Sequence, residues 1–443
     1  MQHGKQWMVV VLIIAGLQLS ACTQKSDTPG KIEPANGTAV VTAGAAELFD
    51  TGKKKSKKKD SVPLAEIAPG YMRAPYLQGL SQDSVVVAWM ASDHGQPAID
   101  YGVTLEYGQT VLASVDGDDR RVATLRGLTP GTRYYYRVRA GDRILAEGTQ
   151  YSFETDAGPT DRSFNFFVTG DIGDDDGRQK FTAEAILEAN SRPELGILCG
   201  DIVYSDGLSR HYDQRLMRPW KDLLCTIPVW PALGNHDWKS PPEDNWEQEW
   251  YLPNNEHYYS FNYANAHFIA LDTRDGDLYE PAEQVRWLEQ DLAANVGADW
   301  IFVYYHHPGI TCTYKKDNDA VINNFLPLFD RYRVDVVFTG HAHTYERLYP
   351  IYHGVPVNKE QDPHYTDPAG TIYIVSGAGG KYKKGKPTTY CGPTAFFRDE
   401  TLLWTQVFVD GPTSTIRTWE SKNGDLIDEV VVTKTKLTLT TSR

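Results

Sequence analysis

The sequence predicts two folded regions: a larger α/β (α+β) domain with β-sheets flanked by helices, preceded by an all-β sandwich. Three observations predict this. From residue 163 onward, short apolar strands alternate with segments of helical spacing, which implies sheet packed between helices. Residues 70–156 show only short strand-like runs separated by turn residues, with no helical period. The chain has 443 residues, 41% apolar and 23% charged, so more than one core is expected. A disordered chain, a coiled coil and a multi-pass membrane protein are excluded.

Residues 7–19 form a short apolar run after Lys5, too short for a confident membrane span and suited to the core of a secretory signal. Leu19-Ser20-Ala21-Cys22 follows and resembles a bacterial lipobox, so 1–21 reads as a lipoprotein signal peptide and Cys22 as the lipidated residue. Thr23 after that cysteine, by resemblance to Gram-negative lipoproteins, points to an outer-membrane anchor or the periplasmic side of the envelope. Residues 22–68 lack apolar periodicity and read as a flexible tether. Its run Lys53–Lys59 is read as solvated linker, the alternative being a contact with anionic lipid or cell-surface polymer.

The net charge is −14, from 44 Lys+Arg against 58 Asp+Glu, and the tether holds more Lys than acids, so the folded part is the more acidic. Such a surface argues against nucleic-acid binding and opposes any anionic substrate at long range. Of the remaining cysteines, Cys312 and Cys391 both lie in polar loops and are the preferred disulfide pair, although sequence alone does not fix the pairing. Cys199 and Cys225 adjoin apolar segments and read as buried thiols.

In 70–156, Ser84–Met90, Tyr134–Ala140 and Tyr151–Thr155 read as strands, and Gly127–Thr132 supplies a turn. From 163 the expected strands each end on a chemically reactive group. Phe164–Thr169 ends at Gly170-Asp171, Leu195–Cys199 at Gly200-Asp201, and Pro228–Leu233 at Gly234-Asn235-His236-Asp237. Trp300–Tyr305 ends at His306-His307, and Asp335–Phe338 at Gly340-His341-Ala342-His343. Helices are expected at 179–190, 211–225, 281–295 and 319–332, with a pair of strands near 258–262 and 267–271. Ligand sites in such sheets lie beyond the carboxyl ends of the strands.

Asp171, Asp201, Asn235, His236, His306, His341 and His343, with Tyr204 three residues after Asp201, form one constellation. Carboxylates and imidazoles together suit Fe, Zn or Mn. So many ligands exceed the need of one ion and suit two ions sharing a bridging carboxylate. The glycines at 170, 200, 234 and 340 are expected to let the backbone turn sharply before each ligand.

The ordered series resembles that of the calcineurin-like metallophosphoesterases, and within them the purple acid phosphatases. The matching pieces are Asp171-Ile172-Gly173, Gly200-Asp201-Ile202-Val203-Tyr204, Gly234-Asn235-His236-Asp237, Val303-Tyr304-Tyr305-His306 and Gly340-His341-Ala342-His343, followed by Thr344-Tyr345-Glu346-Arg347. Gly173 stands where most of the superfamily has His, and Tyr204 supplies the ligand characteristic of the purple enzymes. The segment Leu128–Val138 resembles fibronectin type III modules, so 70–156 is expected to be the family's N-terminal domain and 160–434 its catalytic domain.

The resemblance implies that Asp171, Tyr204 and His343 hold Fe(III), that Asp201 bridges, and that Asn235, His306 and His341 hold a divalent Fe, Zn or Mn. It implies an exported acid phosphatase that attacks small phosphomonoesters with a metal-bound hydroxide. It implies that His236 and Asp201 are catalytic, with His236 binding substrate and either stabilising the transition state or protonating the leaving group, and that His307 is a weaker substrate-binding candidate. The family often places further His residues after His306; here 309–319 has none, and Lys315 and Lys316 are the candidates to replace them. Specificity is expected in 238–256, 309–318 and 379–394. A phosphodiesterase or nucleotide hydrolase with the same metals is the alternative, and a lipid-anchored adhesin or binding module is the non-enzymatic one. Oligomeric state is not legible.

Overall fold

The computed structural model describes residues 71–436, apart from 93–94, 118, 240–245, 275–280 and 386–391. The expected signal peptide, Cys22, the tether with its lysine run, and Cys391 lie outside the described residues. No helix among the described residues is long and apolar enough to cross a membrane.

The first region contains β1 (Arg73–Gln78), β2 (Ser84–Met90), β3 (Pro97–Gly102), β4 (Gln109–Leu112), β5 (Ser114–Asp116), β6 (Arg120–Arg126), β7 (Arg133–Ala140), β8 (Arg143–Ala146) and β9 (Ser152–Glu154). One sheet has the order β1-β2-β6-β5; the other runs β4-β3-β7-β8, with β9 also on β7. Alternation along β7 buries Tyr134, Tyr136, Val138 and Ala140, which places the aromatic face between the sheets. The Tyr134 hydroxyl accepts from the Thr129 amide at 3.0 Å and ties this strand to the turn before it.

The second region opens with β10 (Ser163–Thr169), α1 (Gln179–Leu187), β11 (Leu195–Cys199), α2 (Ser209–Tyr212), α3 (Lys221–Leu224), β12 (Val229–Ala232) and α4 (Trp246–Glu249). It continues with β13 (Tyr259–Tyr263), β14 (Ala266–Ala270), α5 (Pro281–Ala294), β15 (Trp300–Tyr304), α6 (Asp319–Asn324), α7 (Leu326–Tyr332), β16 (Val336–Thr339) and β17 (Tyr345–Leu348). The last strands are β18 (Ile351–Tyr352), β19 (Val355–Pro356), β20 (His364–Thr366), β21 (Ile372–Ser376), β22 (Thr394–Arg398), β23 (Leu403–Asp410), β24 (Thr413–Glu420) and β25 (Leu426–Thr433).

Fourteen of these strands form two seven-stranded sheets, ordered β12-β11-β10-β23-β24-β25-β20 and β13-β14-β15-β16-β21-β17-β22, while β18 and β19 pair with each other. The sheets pack face to face. Phe166 of β10 meets Phe268 of β14 and Phe302 of β15 edge-on, each at 5.1 Å between ring centroids. The neighbouring Phe167 points the other way and packs on Trp220, beside α3, at 6.1 Å. The outer face of the second sheet is covered by α5 and α7 through Leu288, Leu292, Phe325 and Phe329. Helices therefore lie on the outer faces and the two sheets meet in between, in keeping with the expected β-sheets flanked by helices. The helix expected over 211–225 is broken into α2, a wide turn at Asp213–Met217 and α3.

The sandwich docks on the second region through buried polar contacts. Arg73 of β1 donates to Asp213 at 2.7 Å and forms an ion pair with the buried Glu249 of α4. The Tyr136 hydroxyl donates to the Cys225 carbonyl at 2.6 Å. Cys199 and Cys225 are free and buried, and Cys312 is disulfide-bonded.

Candidate metal centre

Strands β10, β11 and β12 are parallel, as are β14, β15, β16 and β21, so their carboxyl ends gather at one edge of the two sheets. Asp171 follows β10, Asp201 follows β11, Asn235 and His236 follow β12, His306 and His307 follow β15, and His341 and His343 follow β16. The sharp turns lie at the ligands themselves: Asp171, Asp201 and His341 have φ of 56°, 49° and 65°. Among the preceding glycines only Gly200 has a positive φ, 79°. Gly340 serves close approach instead, since a Cβ there would stand 2.7 Å from Asp171 Oδ2. The glycine role expected from sequence is thus corrected to packing clearance at three of the four positions.

The side chains meet in two adjoining groups. The Tyr204 hydroxyl donates to Asp171 Oδ1 at 2.7 Å and lies 3.1 Å from His343 Nε2, which is 3.3 Å from Asp171 Oδ1. His306 Nε2 stands 3.3 Å from Asp201 Oδ1 and 3.2 Å from His341 Nδ1. Ligand atoms of Asp171, Asp201 and His306 lie within 4.8 Å of one another, which puts Asp201 between the groups. His306 Nδ1 donates to the Cys199 carbonyl at 2.9 Å, so its Nε2 is the nitrogen turned inward. Asn235 Oδ1 is buried without a hydrogen-bond partner. A buried acceptor without a partner, on the loop that follows β12 at the edge where the carboxylates and imidazoles gather, fits a cation ligand. The residues present therefore fit a binuclear centre.

Electrostatics agree with that fit. Burial opposes a charged His306, but the Asp201 carboxylate overrides it and holds the pKa up at about 9. Burial alone would raise Asp201; the His306 and His236 charges pull it below the carboxylate range instead. Burial, then Asp171 and Asp201, raise the Tyr204 phenol well above its ordinary value. Without a cation the phenol keeps its proton and donates it to Asp171.

His236 is partly exposed, and its amide donates to Asp201 Oδ1 at 2.8 Å. His307 is turned inward: its ring packs on His341 at 4.1 Å, and its amide donates to Thr273 Oγ1 at 3.0 Å. β15 ends at Tyr304, so strand alternation does not govern residues 306 and 307. Burial, then the His306 charge, hold the His307 pKa down at about 3.

Several site residues carried no signal strong enough to assign them. Asp237 accepts from the amides of Ile202 at 2.9 Å, Val203 at 3.0 Å and Gly234 at 2.9 Å, clamping two ligand loops together. It belongs to the Gly-Asn-His-Asp motif, which was the available clue. The Tyr314 hydroxyl accepts from the His343 amide at 3.0 Å. Lys315 is half-buried near this edge, whereas Lys316 is exposed.

Residues 164–345 match the calcineurin-like phosphoesterases, and residues 74–155 match the purple acid phosphatase N-terminal domain. Fold and site together are similar to those of the metallophosphoesterases. The chain is 31% identical over 274 residues to purple acid phosphatase 21 of Arabidopsis thaliana, covering 57% of this chain and 56% of that relative. It is 27% identical over 438 residues to probable purple acid phosphatase 20 of the same plant, covering 90% of this chain and 95% of that one. A purple acid phosphatase from yellow lupin (Lupinus luteus) seeds has the same fold, with a TM-score of 0.72 at 21% identity over 83% of this chain and 75% of its own. In both matched regions the chain is similar to the purple acid phosphatases.

Proposed function

We propose that this chain is an exported acid phosphatase that hydrolyses small phosphomonoesters at two metal ions. The observation that carries this reading is the gathering of seven donor residues at the strand ends, with Asn235 Oδ1 buried and unpartnered among them. Asp171, Tyr204 and His343 would hold one ion, Asn235, His306 and His341 the other, with Asp201 shared. The hard phenolate of Tyr204 suits Fe(III), and the neutral Asn235 suits a divalent Fe, Zn or Mn. When bound, such ions supply a water-derived nucleophile at low pH and positive charge for the phosphoryl oxygens.

The protein's own part is positioning and proton transfer. Cys199 fixes the His306 ring, and Asp237 fixes the loops that carry Asp201 and Asn235. His236 sits on the open side of Asp201, with its Nε2 3.9 Å from Asp201 Oδ2. It orients the ester and hands a proton to the departing alkoxide. The disulfide at Cys312 supports an oxidising compartment, in keeping with export and a lipid anchor at Cys22.

Metal analysis with an absorption spectrum, followed by rates on phosphomonoesters and phosphodiesters across pH, tests the reading. An active enzyme without iron or visible absorption overturns the Fe(III) assignment, and faster diester cleavage favours a phosphodiesterase. Membrane fractionation of Cys22→Ser tests the anchor: release into the soluble fraction is expected.

A further inference from the structure

Tyr204 is held by its backbone as well as by its phenol. Its amide donates to the Gly173 carbonyl at 3.0 Å. Its own carbonyl accepts from the guanidinium of the half-buried Arg215. With both ends of the residue fixed, the hydroxyl is aimed at Asp171 and His343.

Arg215 stands on the wide turn Asp213–Met217, which the Arg218 amide closes on the Asp213 carbonyl at 3.0 Å. Single wide turns of this kind recur at functional sites. Two contacts from outside pin this one. The Gln179 side-chain amide of α1 donates to the Arg215 carbonyl at 2.8 Å. From the other side, Arg73 of β1 donates to the Asp213 carboxylate at 2.7 Å. Arg73 is itself buried and also pairs with the buried Glu249, which accepts from Ser209 at the start of α2. The sandwich thus grips the segment leading into the turn, directly at Asp213 and through Glu249 at Ser209. A buried ion pair adds little net stability over apolar packing of the same volume, so its presence at this boundary points to geometry rather than cohesion.

We propose that the sandwich sets the metal-binding geometry of Tyr204, with Arg73 a positioning residue that acts through Asp213 and Arg215 on the Tyr204 carbonyl. This rests on Tyr204 being a metal ligand, as proposed above. The test uses the iron-loaded full chain and its Asp213→Ala, Arg215→Gln, Arg215→Lys and Asp213→Ala/Arg215→Gln variants. Asp213→Ala leaves the Arg73–Glu249 pair in place, so it cuts the link without opening the boundary. The visible tyrosinate band and the metal affinity by chelator competition are both read. Asp213→Ala and Arg215→Gln are expected to displace the band and to lower the affinity about tenfold, as loss of a group that orients a ligand does. Arg215→Lys keeps a donor for the carbonyl and is expected to recover most of that loss. The double variant is expected to lose no more than Arg215→Gln alone, because both changes act through one contact. Arg133→Gln breaks the exposed Arg133–Glu154 pair, 3.1 Å long, on the same sandwich and is expected to change neither readout.

An unmoved band with unchanged affinity in Asp213→Ala overturns the proposal. Additive losses in the double variant, or an equal shift in Arg133→Gln, overturn it too. Thermal melts show whether each variant is folded; if Asp213→Ala is not, Asp213→Asn, which keeps the shape and drops the charge, takes its place. Failure of the functional reading looks different. A loaded wild type without a visible band refutes Fe(III) at Tyr204, and chelator competition with Zn(II) then decides the proposal by the same criteria. A chain that binds no metal overturns both.

Discussion

The Tyr204 hydroxyl donates to Asp171 Oδ1 at 2.7 Å, and both side chains are closed off from solvent. Burial and two carboxylates keep the phenol protonated unless a cation replaces that proton. The purified, iron-loaded protein is expected to be purple and Tyr204→Phe to be colourless, with a native circular dichroism spectrum. Visible absorption that survives the substitution rules out tyrosinate as its source.

Asp237 binds three backbone amides from two ligand loops. Asp237→Asn exchanges one acceptor oxygen for a donor facing an N–H. Displaced ligands of this kind cost about 10–100-fold in metal affinity or activity. Chelator titration of the loaded protein checks the affinity, and hydrolysis rates at saturating metal show whether added metal restores activity.

Arg73 and Glu249 form a buried ion pair across the two regions. Removing one member of such a pair leaves the other uncompensated and costs about 3–5 kcal/mol. Arg73→Ala is expected to show a loss of that order in denaturant unfolding, while Arg73→Ala/Glu249→Ala loses less than the sum of the single variants. Additive losses would mean that the pair contributes no coupling.

His257 fixes an acid limit. Its Nδ1 accepts from Arg274 at 2.7 Å, and Arg274 lies over the Trp238 ring at 3.7 Å. Burial, then the Arg274 charge, lower the His257 pKa to about 4, against about 6.5 for an unfolded histidine. The folded state thus binds this proton more weakly than the unfolded one. The contribution is complete at and above about pH 6.5 and is lost as the pH falls through about 4. Melting temperatures between pH 7 and 4 should fall less steeply for His257→Gln than for the wild type.

The strands and the metal donors were legible because each strand is an apolar run that stops at a short polar motif. Phe164–Asp171 and Trp300–His306 carry their own boundaries. The pairing of strands was not legible, because the packing of Phe166 on Phe268 and Phe302 depends on contacts more than a hundred residues apart. The strands after 345 add the antiparallel β23–β25 to the first sheet, a register set by partners and not by local period. The direction of His307 was not legible, because it lies beyond the end of β15, where strand alternation no longer applies. Lys383 was invisible, since a lysine in a glycine-rich loop looks like any solvated residue until Tyr314 is seen beneath it.

The metal donors stand on strand ends, whereas the rim lysines Lys239, Lys315 and Lys383 stand on the loops beginning near 238, 309 and 379. Donors and rim lysines therefore occupy separately replaceable parts. A loop graft that exchanges Lys315 or Lys383 for another side chain leaves every donor's supporting strand intact. The rim can therefore be rewritten, in divergence or in laboratory selection, while the donors keep their supports.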